Sequence, residues 1–91
     1  MKNKMEKNKE KILDNYREEE FVFADGFDDA IIGIASGIDT IVCYDRKKVL
    51  KKLQEDGMSE EEAFEYFDYN IGGAYIGEKT PIFIDLLNNM M

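Results

Sequence analysis

Residues 29–45 read DAIIGIASGIDTIVCYD, two β-prone runs joined by a short polar turn. Each run, DAIIGIAS and DTIVCYD, is rich in β-branched residues and is bounded by aspartate or serine, which is typical of a strand. Gly37 lies at the junction between them, where a short hairpin loop needs a flexible backbone. The stretch therefore predicts two antiparallel strands, and the rest of the fold can be built around this hairpin.

Two further β-prone runs flank the hairpin at a distance. EFVFADG, residues 20–26, is rich in aromatic residues, and the loop DGFDD after it has the composition of a turn that closes a hairpin. TPIFIDLL, residues 80–87, has Pro81 near its start, and proline suits a first or edge position because it lacks an amide hydrogen. The sequence therefore predicts a small sheet of four strands, mainly antiparallel.

Two helices are expected between the third and fourth strands. Asp45 is a suitable N-cap for the first helix, RKKVLKKLQED, and Gly57 can adopt the left-handed conformation that ends it. Ser59 and Glu62 form a capping-box pattern at the start of the second, SEEEAFEYFDYNIGGA. Apolar residues recur at three- and four-residue steps in both segments, so each helix should bury one face against the sheet.

The N-terminal segment differs from the rest of the chain in charge. Residues 1–11 contain five lysines and two glutamates, whereas the other eighty residues carry a net charge of −11, which gives −8 for the whole chain. We expect residues 1–19 to be a basic segment with a helix over about residues 9–19, and residues 20–91 to be a single acidic α+β domain. The predicted core consists of apolar residues that share the inner faces, namely Val22, Ile32, Ile34, Ile41, Cys43, Leu50, Leu53, Phe64, Phe67, Ile71, Ile82 and Ile84.

The charge and the single cysteine limit the functions that fit. An acidic domain repels nucleic-acid phosphates and anionic membranes and favours a basic partner or a cation, although the charge could also serve solubility alone. Cys43 should be a buried small hydrophobe, and with no other cysteine and no histidine an internal disulfide and a Cys–His nucleophilic pair are excluded. Because no apolar stretch suits a bilayer span or a secretory signal, we expect a cytoplasmic protein.

Three carboxylates, Asp25, Asp28 and Asp29, lie within five positions in the loop DGFDD. Together with Glu78, which precedes the last strand, they could hold one Mg²⁺ or Ca²⁺, because these ions take oxygen ligands. The spacing is not that of an EF-hand loop, and aspartates also favour turns by bonding to neighbouring amides. A cation site, a structural turn and a pair of carboxylates that act as acid and base therefore remain alternatives.

In the turn alternative, the Asp25 side chain would accept amide hydrogen bonds and Phe27 would pack toward the core. Asp28 and Asp29 would then face water, and no cofactor would be needed.

The second predicted helix and the residues just after it carry more aromatic side chains than one buried face can hold. Tyr66 and Tyr69 fall on other faces of the helix, where they could form the centre of a protein interface surrounded by acidic residues. The alternative is that they are ordinary half-exposed tyrosines at the sheet margin. The predicted protein-binding residues are Glu61, Glu62, Glu65, Tyr66, Asp68 and Tyr69.

The motifs DGFDDAIIG and GMSEEEAFEYFDYNIGGAYIGEKTPIFI resemble those of a family of small uncharacterised proteins encoded by bacteriophages and prophages. The resemblance covers residues 21–84, most of the chain. Because that family has no assigned reaction, the resemblance implies only a context, an accessory phage gene expressed in the cytoplasm of an infected host cell.

Two classes of function follow from these observations. The preferred hypothesis is an acidic accessory protein that binds and inhibits a host or phage protein with a basic surface, such as a defence or nucleic-acid-handling factor, as a DNA mimic or an anti-CRISPR protein does. The alternative is a small divalent-cation-dependent enzyme or ligand-binding protein that uses Asp25, Asp28, Asp29 and Glu78. A sheet face left open by the helices also predicts a homodimer.

Overall fold

The computed structural model describes residues 4–90, with side chains from residue 8 onward, so the ends of both predicted segments lie outside the described residues. This part of the chain is α+β, as expected. Its helices and strands, in chain order, are α1 (Lys4–Asn15), β1 (Ile31–Ala35), β2 (Ile41–Asp45), α2 (Arg46–Glu55), α3 (Glu60–Phe67) and β3 (Ile82–Ile84). Short 3-10 turns at Asp28–Ala30 and Leu87–Asn89 and a π-helical turn at Asp68–Gly72 connect or follow them.

β2 is the middle strand of the sheet. It pairs antiparallel with β1 in the predicted hairpin, and a β-bulge interrupts their register between Ile31 and Gly33. On its other side it pairs in parallel with β3, because the chain passes through α2 and α3 before it returns to the sheet. Within residues 4–90 the sheet is thus three-stranded and mixed, and the prediction of four mainly antiparallel strands is not confirmed.

The predicted strand that is absent from the sheet is the run EFVFADG, residues 20–26. It forms no strand pairing, and its end lies in a turn. Phe21 and Phe23 instead pack against the core, and the Phe21 ring meets the Tyr16 ring edge-on at 5.8 Å between centroids. The β propensity of aromatic residues reflects a need for packing neighbours, which these residues find without a paired strand.

The caps of α2 and α3 are those that the sequence predicts. The Asp45 carboxylate accepts the Lys47 amide hydrogen at 3.0 Å, and Gly57 follows α2 with a φ of 114°. Ser59 and Glu62 exchange the two hydrogen bonds of a capping box, 2.8 and 3.1 Å long. The Ser59 amide and hydroxyl hold the pKa of Glu62 below its ordinary value, so this cap weakens as the pH falls into the acid range.

The two faces of the sheet have different surroundings. Side chains alternate between the faces along each strand, and the pairing register aligns them across strands. The core face packs against the helices and carries Ile31, Ile34, Val42, Tyr44 and Phe83. The outer face, none of whose residues belongs to the core cluster, carries Gly33, Ala35, Ile41, Cys43, Asp45, Ile82 and Ile84.

Most of the predicted core is buried or half-buried, but Ile41, Cys43 and Ile84 lie on the outer face instead of in the core cluster, and three other predicted core residues are exposed. Ile32, Phe64 and Ile82 are 42%, 38% and 40% exposed. The bulge in β1 turns Ile31 to the core instead of Ile32, and the parallel register of β3 turns Phe83 there instead of Ile82. Phe64 lies at the margin of α3, where its ring faces the Arg46 guanidinium at 5.4 Å. Cys43 is buried, as predicted.

Helix α1 covers Lys4–Asn15, an earlier range than the predicted residues 9–19. Its Ile12 is buried in the core cluster, and Tyr16 just after the helix packs against the same cluster. The apolar anchors of the basic N-terminal segment therefore attach it to the domain.

Candidate functional site

A cavity of about 710 Å³ lies between the turn before β1 and the segment that joins α3 to β3. We call it the apolar cavity, because its walls are largely made of apolar side chains: Phe23, Phe27, Leu53, Met58, Ile71, Ala74 and Phe83. Phe27, Met58, Ile71 and Phe83 are half-buried and pack against the core on their other sides. The cavity is therefore a concave extension of the core that reaches the surface.

Most polar side chains along this cavity already have partners. Lys52 and Asp56 form an ion pair at 3.3 Å, and the Asn70 amide donates to the Tyr66 carbonyl at 3.3 Å. The Thr80 hydroxyl donates to a backbone carbonyl at 2.6 Å and accepts a backbone amide hydrogen at 2.8 Å. These groups hold the wall in place.

Asp25, which also lines the cavity, is different. Its side chain is exposed and makes no hydrogen bond or ion pair with any residue from 8 to 90. The turn around it is closed by the backbone instead, because the Phe27 amide donates to the Ala24 carbonyl at 3.2 Å and Gly26 supplies the positive φ of 88°. The prediction that the Asp25 side chain accepts amide hydrogen bonds is therefore wrong, and its carboxylate is available at the cavity.

The turn is attached to the sheet through Tyr44. The buried Tyr44 hydroxyl accepts the Ala24 amide hydrogen at 2.7 Å. Burial raises the pKa of Tyr44 to about 12, and the negative charges of Asp28 and Asp25 act in the same direction. Tyr44 therefore stays protonated at neutral pH while it fixes the position of Asp25 relative to the core.

The predicted cation ligands are spread along this region. Asp28 and Asp29 lie in the 3-10 turn before β1, Asp25 lies at the cavity, and Glu78 lies in the loop before β3. Asp28 is half-buried, 3.9 Å from the Lys9 amine, whereas Asp29 is exposed. In the described part of the chain, no three or more carboxylate, thiol or imidazole side chains converge as a metal site would require. The cation site remains a prediction.

The predicted protein-binding residues all lie on the exposed side of α3 and of the π-helical turn after it. We call this set the acidic surface: Glu61, Glu62, Glu65, Tyr66, Asp68 and Tyr69. Tyr66 is 42% and Tyr69 84% exposed. Among residues 8–90, none of the four carboxylates is in an ion pair, although Glu62 is bonded to the helix N-terminus.

Four residues of the acidic surface line one shallow depression of about 330 Å³, namely Glu62, Glu65, Tyr66 and Tyr69. Glu61 and Asp68 lie outside its lining. Met58, Tyr66 and Asn70 line both this depression and the apolar cavity. The acidic surface and the cavity are therefore parts of one continuous concave region.

Sequence reasoning did not find the apolar cavity, because its walls come from segments far apart in the chain. The signal that pointed closest to it was the glycine pair after α3. A Cβ atom on Gly72 would lie 2.4 Å from Cε1 of Phe67, and one on Gly73 would lie 2.4 Å from the Asp68 carbonyl oxygen. The absence of side chains at these glycines allows the π-helical turn to pack tightly. Short π-helical turns are frequent at functional sites.

Comparisons with protein-family models, with curated proteins and with solved structures gave no match to this chain. The resemblance to phage proteins is therefore still a prediction from the sequence. None of the helices in residues 4–90 combines the length and apolar character needed to span a bilayer.

Proposed function

We propose that this chain is a small acidic accessory protein, of the type encoded by bacteriophages, that binds and inhibits a host protein through a basic surface of that protein. The observation that carries the proposal is the acidic surface, which combines four exposed carboxylates outside any described ion pair with two exposed tyrosines. Carboxylates attract lysine and arginine over a distance, and tyrosines supply contact area at low entropic cost. A surface that combines exposed carboxylates with exposed tyrosines is well suited to bind a basic protein.

The charge of the domain indicates the class of partner. Residues 12–91 carry a net charge of −11, which disfavours direct binding to nucleic acid and favours proteins that bind nucleic acid themselves. Occupation of such a protein's basic groove would block its normal ligand, as a DNA mimic or an anti-CRISPR protein does. A defence or nucleic-acid-handling factor in the host cytoplasm fits this chemistry.

The proposal is tested with tagged wild-type protein as bait in a lysate of the bacterial host. We expect one basic protein to be retained and to be released by added salt, because screening weakens exposed charge pairs. Glu65→Lys should abolish retention. Glu18→Lys is the matched control, because Glu18 is also exposed but lies outside the acidic surface, and it should retain the same protein. Equal retention by both variants would contradict the proposal.

We also propose that two copies of the chain associate through the outer face of the sheet. Its residues are uncharged except Asp45, whose buried carboxylate caps α2, and Ile82 is 40% exposed. A largely apolar face of this kind is complementary to itself across a two-fold axis, and most of the charge of each copy lies elsewhere. This proposal keeps the acidic surface free for the partner.

The alternative function, a cation-dependent enzyme or ligand-binding protein, has less support. The candidate ligands Asp25, Asp28, Asp29 and Glu78 do not form one converging group among residues 4–90, and Asp28 already faces Lys9. Loss of function in Asp25→Asn, with unchanged folding and unchanged partner retention, would favour this alternative.

A further inference from the structure

We infer that the apolar cavity is the anchor pocket for a bulky apolar side chain of the basic partner, and that a lysine or arginine next to that side chain pairs with Asp25. The inference rests on the proposed function and adds to it the chemistry that the bound segment of the partner must carry: a large apolar residue with cationic neighbours.

The size and walls of the cavity suit a large apolar group. Its volume of about 710 Å³ falls within the range of roughly 300 to 1,000 Å³ that is common for binding pockets. Phe23, Phe27 and Phe83 supply aromatic walls that are held by the core on their other sides. A side chain that enters loses contact with water against surfaces that do not need to rearrange, which is the environment of an interface hot spot.

The polar groups along the cavity select a positive charge. Asp25 brings a carboxylate that has no partner within residues 8–90, whereas the Lys52 amine is already paired with Asp56. An anionic ligand would meet uncompensated negative charge, so phosphates and carboxylates are disfavoured. A lysine or arginine of the partner, by contrast, would form an ion pair with the Asp25 carboxylate.

The cavity adjoins the acidic surface, so the residues next to the anchor side chain in the partner also meet negative charge. Met58, Tyr66 and Asn70 line both the cavity and the depression that contains Glu62 and Glu65. A segment with its apolar residue in the cavity therefore has its neighbouring residues within reach of both Asp25 and the depression beside α3. Charge complementarity then favours lysine or arginine next to the apolar residue.

The experiment uses three pentapeptides with blocked ends, KKFKK, KKAKK and GGFGG, titrated into ¹⁵N-labelled full-length protein. We expect KKFKK to bind at least about tenfold more tightly than either control, because it alone supplies both the anchor and the charges. Its largest amide shifts should include Phe27, Ile71 and Phe83, which line the cavity.

Two variants and a control assign the binding to the cavity. Asp25→Asn should weaken KKFKK by roughly three- to tenfold, because the peptide then loses a charge-assisted contact. Asp29→Asn is the matched control, since Asp29 is exposed in the same loop but does not line the cavity, and it should leave binding unchanged. Ala74→Leu fills the cavity and should remove the advantage of KKFKK over KKAKK. If Ala74→Leu does not fold, the Asp25 and Asp29 variants decide alone.

Several outcomes would overturn the inference. Equal binding of KKFKK and KKAKK, weakened by Glu65→Lys, would leave the acidic surface as a binding site and remove the anchor pocket. Equal binding of KKFKK and GGFGG would mean that charge does not select the ligand. Shifts of the same amides on concentration of the protein alone would mean that a second copy occupies the cavity. Failure of the proposed function is separate, because it appears as equal lysate retention by Glu65→Lys and Glu18→Lys.

Discussion

Adjacent residues of β2 face opposite sides of the sheet and are buried in different ways. Tyr44, on the core face, is fully buried, stacks on Phe83 at 5.3 Å between ring centroids and accepts the Ala24 amide hydrogen. Cys43, on the outer face, is only 5% exposed but is not part of the core cluster, and burial raises the pKa of its thiol.

From this difference we expect that low exposure alone does not determine how much a side chain contributes to the free energy of unfolding. Cys43 is small and lies in the middle strand, so the adjacent strands can shield it without a layer packed above. The side chains around Tyr44 come from helices and loops that are distant in the chain, and they are held together only in the folded state. The core face should therefore account for most of the free energy of unfolding.

The largest expected effect is a difference in stability between alanine variants of two neighbouring β3 residues, Phe83 and Ile82. Phe83 stacks on Tyr44 and meets the Phe67 ring edge-on at 5.1 Å, so Phe83→Ala should lower the free energy of unfolding by about 3 kcal/mol. Ile82→Ala, on the outer face, should lower it by less than about 1 kcal/mol. Urea unfolding at the lowest usable protein concentration, where self-association does not contribute, measures both. Equal losses would remove the distinction between the faces.

The second effect is a loss of stability in alkali that arises from Tyr44. Its pKa is about 12 in the folded protein, above the ordinary value of 10, so folding favours the protonated phenol. This contribution is complete below pH 10, and roughly 2 to 3 kcal/mol of it is lost as the pH rises through 12. Tyr44→Phe cannot ionise there, although it removes the acceptor of the Ala24 amide hydrogen and starts from lower stability.

The free energy of unfolding should therefore be measured for both proteins between pH 9 and pH 12. We expect the gap between wild type and Tyr44→Phe to narrow across this range. Parallel curves would contradict the assigned pKa.

How much of this structure the sequence predicts depends on whether the determining contacts are local. The caps at Asp45 and Ser59 involve residues two or three positions apart, so α2 and α3 were predicted with their correct starts. The β1–β2 hairpin is local as well. The strand predicted at residues 20–26 was wrong, because pairing depends on a free edge elsewhere in the molecule and not on the propensity of the run itself.

The errors in the core and at the site have the same origin. The bulge between Ile31 and Gly33 turns the Ile32 side chain away from the core. The sequence signal that could have marked it is Gly33, because an isolated glycine inside a strand often indicates a bulge. The acidic surface was predicted because helical periodicity places its residues together. The apolar cavity was missed because its walls join only in the tertiary structure.

The third prediction concerns self-association through the outer face. Light scattering at micromolar concentration should give twice the chain mass for wild type. Ile82→Lys should give the mass of one chain, because it places an unpaired charge within the proposed apolar contact. Its helical content should stay unchanged, which a far-ultraviolet circular dichroism spectrum checks. A wild-type mass of one chain would contradict the dimer.

The smallest effect is expected at the turn that Tyr44 anchors. Millimolar Mg²⁺ or Ca²⁺ should leave the Tm nearly unchanged, because a ligand that binds only the folded state would have to raise it. Differential scanning fluorimetry with each ion and with matched ionic strength measures this. A rise of several degrees that Asp28→Asn abolishes would instead favour the cation site.

The parallel pairing of β2 with β3 also determines the order in which the molecule assembles. The β1–β2 hairpin closes over a few residues, whereas Cys43 meets Ile82 only after the two intervening helices have folded back. Because longer loops close more slowly and at greater entropic cost, β3 should join the sheet last. Until it does, one edge of β2 and the Phe83 contact surface of Tyr44 stay open. We therefore expect nascent chains to be most prone to aggregate before β3 has left the ribosome.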